Sequence, residues 1–128
     1  VVGIVVVSHS AELASGIAEL AHEMAGPDVR IERAGGAGDG RLGTDEDLIR
    51  AAIKAADQGN GVVVLGDLGS AFLTVRSVLE SGSNGSVIRV ADAPLVEGAI
   101  AAAISSSAGQ SLEEVTGAAE ETRGAKKL

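Results

Sequence analysis

Four β-branched apolar residues, Ile4 to Val7, run without a polar break and stop at Ser8 and His9. Such a run suits a strand buried on both faces, and Val1–Val7 is predicted as the first strand. Ser10 can then cap a helix over about Ala11–Met24, whose large apolar residues Leu13, Ile17, Leu20 and Met24 share one stripe. His22 falls out of phase with that stripe and is expected to face solvent. Gly26 and Pro27 end the helix. Val29–Ala34 alternates apolar and charged residues, the pattern of a solvent-facing edge strand. A glycine-rich loop, Gly35–Gly43, leads to Thr44, which is expected to open a second helix with Asp47 closing a capping box. Leu48, Ile49, Ala52, Ile53 and Ala56 are its expected buried face, and Gly59–Gly61 breaks it.

Val62–Leu65 is a second unbroken apolar run and the third strand. It ends in Gly66-Asp67-Leu68-Gly69-Ser70, followed by a helix with Phe72, Val75, Val78 and Leu79 inward. A turn at Gly82–Gly85 precedes a fourth strand, Ser86–Ala91. Asp92-Ala93-Pro94 then starts a helix with Val96, Ile100, Ala103 and Ile104 as its apolar face. Ser111 and Glu114 make a capping box for a last helix that buries Leu112, Val115 and Ala119. This strand–helix alternation predicts an α/β fold: an open parallel sheet with helices on both faces. The two most apolar strands, the first and third, should be central neighbours, giving the order 2-1-3-4 with the switch point between them.

The length of 128 residues fits a single domain over 1–128. A formal net charge of -8 and a single aromatic residue, Phe72, exclude a basic or base-stacking nucleic-acid surface. Without cysteine there is no disulfide, thiolate metal site or thiol nucleophile. No apolar stretch is long enough for a membrane span, and the start lacks the pattern of a secretory signal, so a soluble cytoplasmic protein is expected.

The predicted order brings His9 and Asp67 to the carboxyl ends of adjacent strands, roughly 5 Å apart, where a carboxylate can orient an imidazole. The first residues of the next helix, Gly69, Ser70 and Ala71, offer N–H groups and a helix dipole to an anion. Thr44 can add a hydroxyl and an N–H. An imidazole nucleophile, an orienting carboxylate and an anion cradle suit transient phosphorylation of His9 on Nε2, with Nδ1 held by Asp67. Each residue also has a plainer reading: Asp67, Ser70, Thr44 and Asp92 as helix caps, the glycine-rich loop as a connection, His22 as a surface residue. Arg41 is the nearest candidate cation. No Walker motif, dinucleotide fingerprint or nucleophile elbow is present, and the two histidines are not placed to share a metal.

Val7-Ser8-His9-Ser10, Gly43-Thr44, Asp67-Leu68-Gly69-Ser70-Ala71 and Asp92-Ala93-Pro94-Leu95-Val96-Glu97-Gly98-Ala99 together resemble the phosphotransfer subunit of bacterial dihydroxyacetone kinase. This is the DhaM-type IIA domain, related to mannose-type IIA domains of the sugar phosphotransferase system (PTS). The resemblance spans essentially the whole chain. It implies that His9 carries the phosphoryl group, that Asp67 orients it and that Gly69 and Ser70 help hold the phosphate. It further implies a relay: the phosphocarrier HPr as donor, ADP on a DhaL-type subunit as acceptor, and dihydroxyacetone on a DhaK-type subunit as final substrate. No cofactor or metal of the chain's own is implied, and a homodimer is. Some members continue into HPr-like and enzyme I-like domains, so the chain corresponds to a short form or to an excised domain. The alternatives are a mannose-type IIA component for sugar uptake, which commonly has Gly where this chain has Ser10, a non-catalytic regulatory module, and a small-anion binding module built on the Gly35–Thr44 loop.

Overall fold

A computed structural model describes residues 1–82 and 85–128. The strands are β1 (Gly3–Ser8), β2 (Ile31–Gly35), β3 (Val62–Gly66) and β4 (Ile88–Val90). The helices are α1 (Ala11–Ala25), α2 (Glu46–Ala56), α3 (Gly69–Glu80), α4 (Leu95–Ser107) and α5 (Leu112–Glu121), followed by a short 3₁₀ turn at Thr122–Gly124. The predicted turn at Gly82–Gly85 includes residues 83 and 84, which lie outside the described residues.

All three strand pairings are parallel and the order is β2-β1-β3-β4, as the sequence predicts. The two unbroken apolar runs occupy the centre, and every residue of β1 and β3 is buried. Alternate side chains of the central strands feed two cores. Ile4, Val6, Val63 and Leu65 pack against α1, α4 and α5; Val5, Val7, Val62 and Val64 pack against α2 and α3. Helices therefore cover both faces, which is what fully apolar parallel strands require. The register sets the site: Val7 lies opposite Gly66 and Ser8 opposite Gly35. The residues just past β1 and β3 thus emerge side by side.

Two helices turn differently from the pattern of large apolar residues. On α1 the buried positions are Ala14, Ile17, Ala18, Ala21 and Ala25, while Leu13, Leu20 and Met24 are exposed by 45%, 46% and 55%. The alanine stripe is the leucine stripe displaced by one residue. On α4 the buried face is Gly98, Ala99, Ala102 and Ala103 with Ser105 and Ser106, while Val96 and Ile104 are exposed and Ile100 is half-buried. The cause is volume. Valine, isoleucine and leucine of the sheet already fill the layer, so the two helices, which pack on each other, approach through small side chains. Leu48 on α2 is likewise at the exposed edge of its predicted buried face.

The predicted start of α2 is also corrected. Its N-cap is Asp45, whose carboxylate accepts from the Leu48 N–H, and no capping box forms from Thr44 and Asp47. The Ser111–Glu114 capping box forms as predicted. His22 is exposed, and Gly26 closes α1 with a positive φ of 83°. The C-terminal end of β2 passes very close to the start of α1. A Cβ at Gly35 would lie 2.7 Å from both the Ser10 oxygen and Ala11 Cα, so only glycine fits there.

Candidate phosphotransfer site

His9 lies between the end of β1 and the start of α1. Its backbone is fixed on both sides. The His9 N–H donates to Asp67 Oδ2 at 2.9 Å, and the His9 carbonyl accepts from the Gly43 N–H at 2.9 Å. The Ser8 carbonyl accepts from Gly36 N–H at 3.1 Å, so the glycine-rich loop is anchored at both ends to the backbone of this segment. Ser10 Oγ accepts from the Leu13 N–H and caps α1, which holds the following turn.

The ring is held on both nitrogens. Nδ1 lies 2.9 Å from Asp67 Oδ1, and Nε2 lies 2.8 Å from Ser70 Oγ. An ionised carboxylate only accepts, so Nδ1 carries the proton; in the neutral imidazole Nε2 then presents its lone pair to the Ser70 hydroxyl. The His9 side chain is 26% exposed and that of Asp67 12%, so the imidazole is reachable from solvent while its carboxylate partner is recessed.

Asp67 collects four donors. Oδ2 accepts from Ser8 Oγ and from His9 N–H, both at 2.9 Å; Oδ1 accepts from His9 Nδ1 and from Leu68 N–H at 2.8 Å. Burial pushes the Asp67 carboxyl up, but these hydrogen bonds together outweigh it and hold the group below its ordinary value. Asp67 does not cap α3, whose N-cap is Leu68 without a side-chain bond.

Of the other expected site residues, Ser70 alone bonds Nε2. Gly69 and Ser70 are the exposed first residues of α3, and their N–H groups have no acceptor among the described residues. The Ala71 N–H already donates to the Leu68 carbonyl at 3.0 Å, and its side chain is buried. Thr44 Oγ1 lies 2.7 Å from Thr74 Oγ1 on α3, and Thr74 also reaches the Ser70 carbonyl at 3.5 Å. The Thr44 hydroxyl therefore braces the turn that carries Ser70. Arg41 is directed elsewhere, its Nε paired with Asp39 Oδ2 at 2.6 Å on an exposed loop. Sequence reasoning missed two contributors, Ser8 and Thr74. Ser8 was within reach of it, because a hydroxyl ending a fully buried valine strand needs a partner and the predicted strand order places Asp67 beside it.

Residues 3–116 match the model of the PTS system fructose IIA component family. The chain belongs to this family. Phosphoryl donor subunit DhaM of dihydroxyacetone kinase 2 from Listeria innocua is 38% identical over 116 residues, covering 89% of this chain and 93% of that protein. DhaM from Escherichia coli is 36% identical over 119 residues, again over 89% of this chain but only 25% of the longer relative. A crystal structure of a protein of unknown function superposes with a TM-score of 0.86 at 33% identity, over 99% of this chain and 98% of the other. In this IIA chain the strand ends that converge are those bearing His9 and Asp67.

The lowered pKa of Asp67 gives a signed expectation. The folded state favours the ionised carboxylate, so the group adds stability above the unfolded carboxyl's pKa, and this is lost as pH falls through the lower folded value. Carbon-detected NMR should place the Asp67 midpoint below the ordinary 3.8. Urea unfolding from neutral to strongly acid pH should show the stability advantage of the wild type over Asp67→Asn shrinking as that midpoint is passed.

Proposed function

We propose that the chain is a phosphohistidine relay protein. His9 accepts a phosphoryl group from HPr and passes it to ADP on the DhaL-type subunit of dihydroxyacetone kinase, where the ATP formed phosphorylates dihydroxyacetone on the DhaK-type subunit. A PTS phosphotransfer role for dihydroxyacetone kinase follows from relatives at 34–40% identity that carry DhaM names. One observation supports His9 as the carrier: an imidazole with Nδ1 on a recessed carboxylate and Nε2 turned to an exposed helix start.

The chemistry follows from that tautomer. The Nε2 lone pair attacks phosphorus in line, the bond from phosphorus to the donor breaks, and the electron pair leaves with the donor. The proton stays on Nδ1, hydrogen-bonded to Asp67, throughout, so the positive charge that develops on the ring faces a carboxylate. In the second step an ADP oxygen attacks phosphorus, the P–N bond breaks and the pair returns to Nε2. A ring that keeps its Nδ1 proton leaves as neutral imidazole rather than as imidazolate. Ser70 must turn from Nε2 to a phosphoryl oxygen as the bond forms. The Gly69 and Ser70 N–H groups then receive the other oxygens at the α3 terminus, with Ala71 closing that turn and Thr44 bracing it through Thr74. Nothing in the chemistry calls for a metal of the chain's own, and the reaction belongs to the cytoplasm, where HPr and ADP are available.

A homodimer is part of the proposal. Leu13, Leu20 and Met24 on α1 and Val96 and Ile104 on α4 are large apolar side chains left exposed on two helices that pack together. A second copy would cover them.

Incubation with phosphoenolpyruvate, enzyme I and HPr should add one phosphoryl group by intact mass. His9→Ala should take up none, and Asp67→Ala should stay folded and react about 10²-fold more slowly or worse. The DhaL-type subunit with ADP should then discharge the wild type; discharge only to a sugar-transporting component would favour sugar uptake instead. Light scattering after size exclusion should give twice the chain mass, and Leu20→Asp should give monomer. A wild type at monomer mass refutes the dimer.

A further inference from the structure

We propose that Ser8 is a positioning residue for the transfer step: its buried hydroxyl locks the Asp67 carboxylate in the orientation that holds the His9 ring as the Nδ1–H tautomer. The proposal rests on the reading of His9 as phosphoryl carrier and assigns a role to a residue one position before it.

Ser8 ends β1 with no solvent exposure, in a strand otherwise made of Gly3, Ile4 and three valines. A hydroxyl in such a place costs free energy unless it is bonded, whereas another valine or an alanine would cost nothing. It is bonded twice. The Ser10 N–H donates to Ser8 Oγ at 3.1 Å, and Ser8 Oγ donates to Asp67 Oδ2 at 2.9 Å. The direction is forced, because the backbone N–H can only donate and the carboxylate can only accept. The start of α1 is thereby tied through one hydroxyl to Asp67, on the loop after β3.

The consequence for His9 lies in how the carboxylate is held. A carboxylate turns freely about its terminal torsion unless both oxygens are fixed. Oδ1 serves His9 Nδ1 and the Leu68 N–H; Oδ2 serves Ser8 and the His9 N–H. Ser8 is the only side chain other than His9 itself among these donors. Without it, Oδ2 keeps a single bond to the backbone of the very residue whose ring is to be oriented. The Ser10 N–H also loses its acceptor, which by itself is a structural loss. The two effects are separable, since a structural loss lowers stability while a positioning loss alters the tautomer.

Long-range ¹H–¹⁵N NMR of the unphosphorylated full chain reads the tautomer directly, and HPr-dependent phosphorylation kinetics read the step. Wild type should show His9 protonated at Nδ1 alone. Ser8→Ala should remain folded by circular dichroism, show a mixture of tautomers, and lose about tenfold in the maximal rate of phosphoryl uptake with the KM for phosphorylated HPr unchanged. Ser8→Thr keeps the hydroxyl and should restore both; should it fail to fold, the alanine variant decides alone. A folded Ser8→Ala with wild-type tautomer and rate overturns the proposal, as does a loss confined to KM. A wild type that takes up no phosphoryl group refutes the carrier reading instead, and the two failures are distinguishable because only the latter involves the wild type.

Discussion

The carboxylate of Asp67 ties the end of one central strand to the end of the other. Its two oxygens accept from the Ser8 hydroxyl, the His9 backbone and ring, and the Leu68 backbone, so the segment after β1 and the turn after β3 share one acceptor. This depends on register. Val7 stands opposite Gly66, and a slip of one residue would turn the side chains to the other face and separate the pair. The buried valine runs that fix this register are therefore as much a part of the site as the polar residues. The Gly35 close approach and the Gly43 bond to the His9 carbonyl then hold the same segment from the other side.

An acidic chain that carries a phosphoryl group works against its own field. The formal charge is -8, and Arg41 near the site is engaged by Asp39. What the chain itself offers an anion is dipolar: the exposed N–H groups of Gly69 and Ser70 and the Ser70 hydroxyl. Such groups stabilise less than a fixed guanidinium would. For the proposed relay this suits the task, because a phosphoryl group held too firmly would not be handed on. Cationic charge supplied by an incoming partner would lower the barrier only while that partner is present.

The topology was legible in the sequence because it rests on signals that packing does not override. Two unbroken apolar runs must be central, an alternating run must be an edge, and the helices between them force parallel pairing. His9 and Asp67 could be placed together for the same reason. Helix rotation was not legible. On α1 the stripes through Leu13 and through Ala14 have the same period, and which one turns inward depends on how much room the sheet and α4 leave. The start of α2 was missed because Thr44 and Asp45 are both good caps, and the choice was made by Thr44 bonding to Thr74, a residue of another helix. Ser8 is legible only once the two strand ends are taken together, because its partner Asp67 lies just past the end of the other strand.

On the proposed reading, His9 is phosphorylated on Nε2 while Asp67 keeps the proton on Nδ1. The most direct measurement is NMR of the ¹⁵N-histidine-labelled chain after phosphorylation, reading the nitrogen coupled to phosphorus and the nitrogen bearing hydrogen. Coupling of Nε2 of His9 to phosphorus, with Nδ1 protonated, is expected. Phosphorus on Nδ1, or on His22, would contradict it.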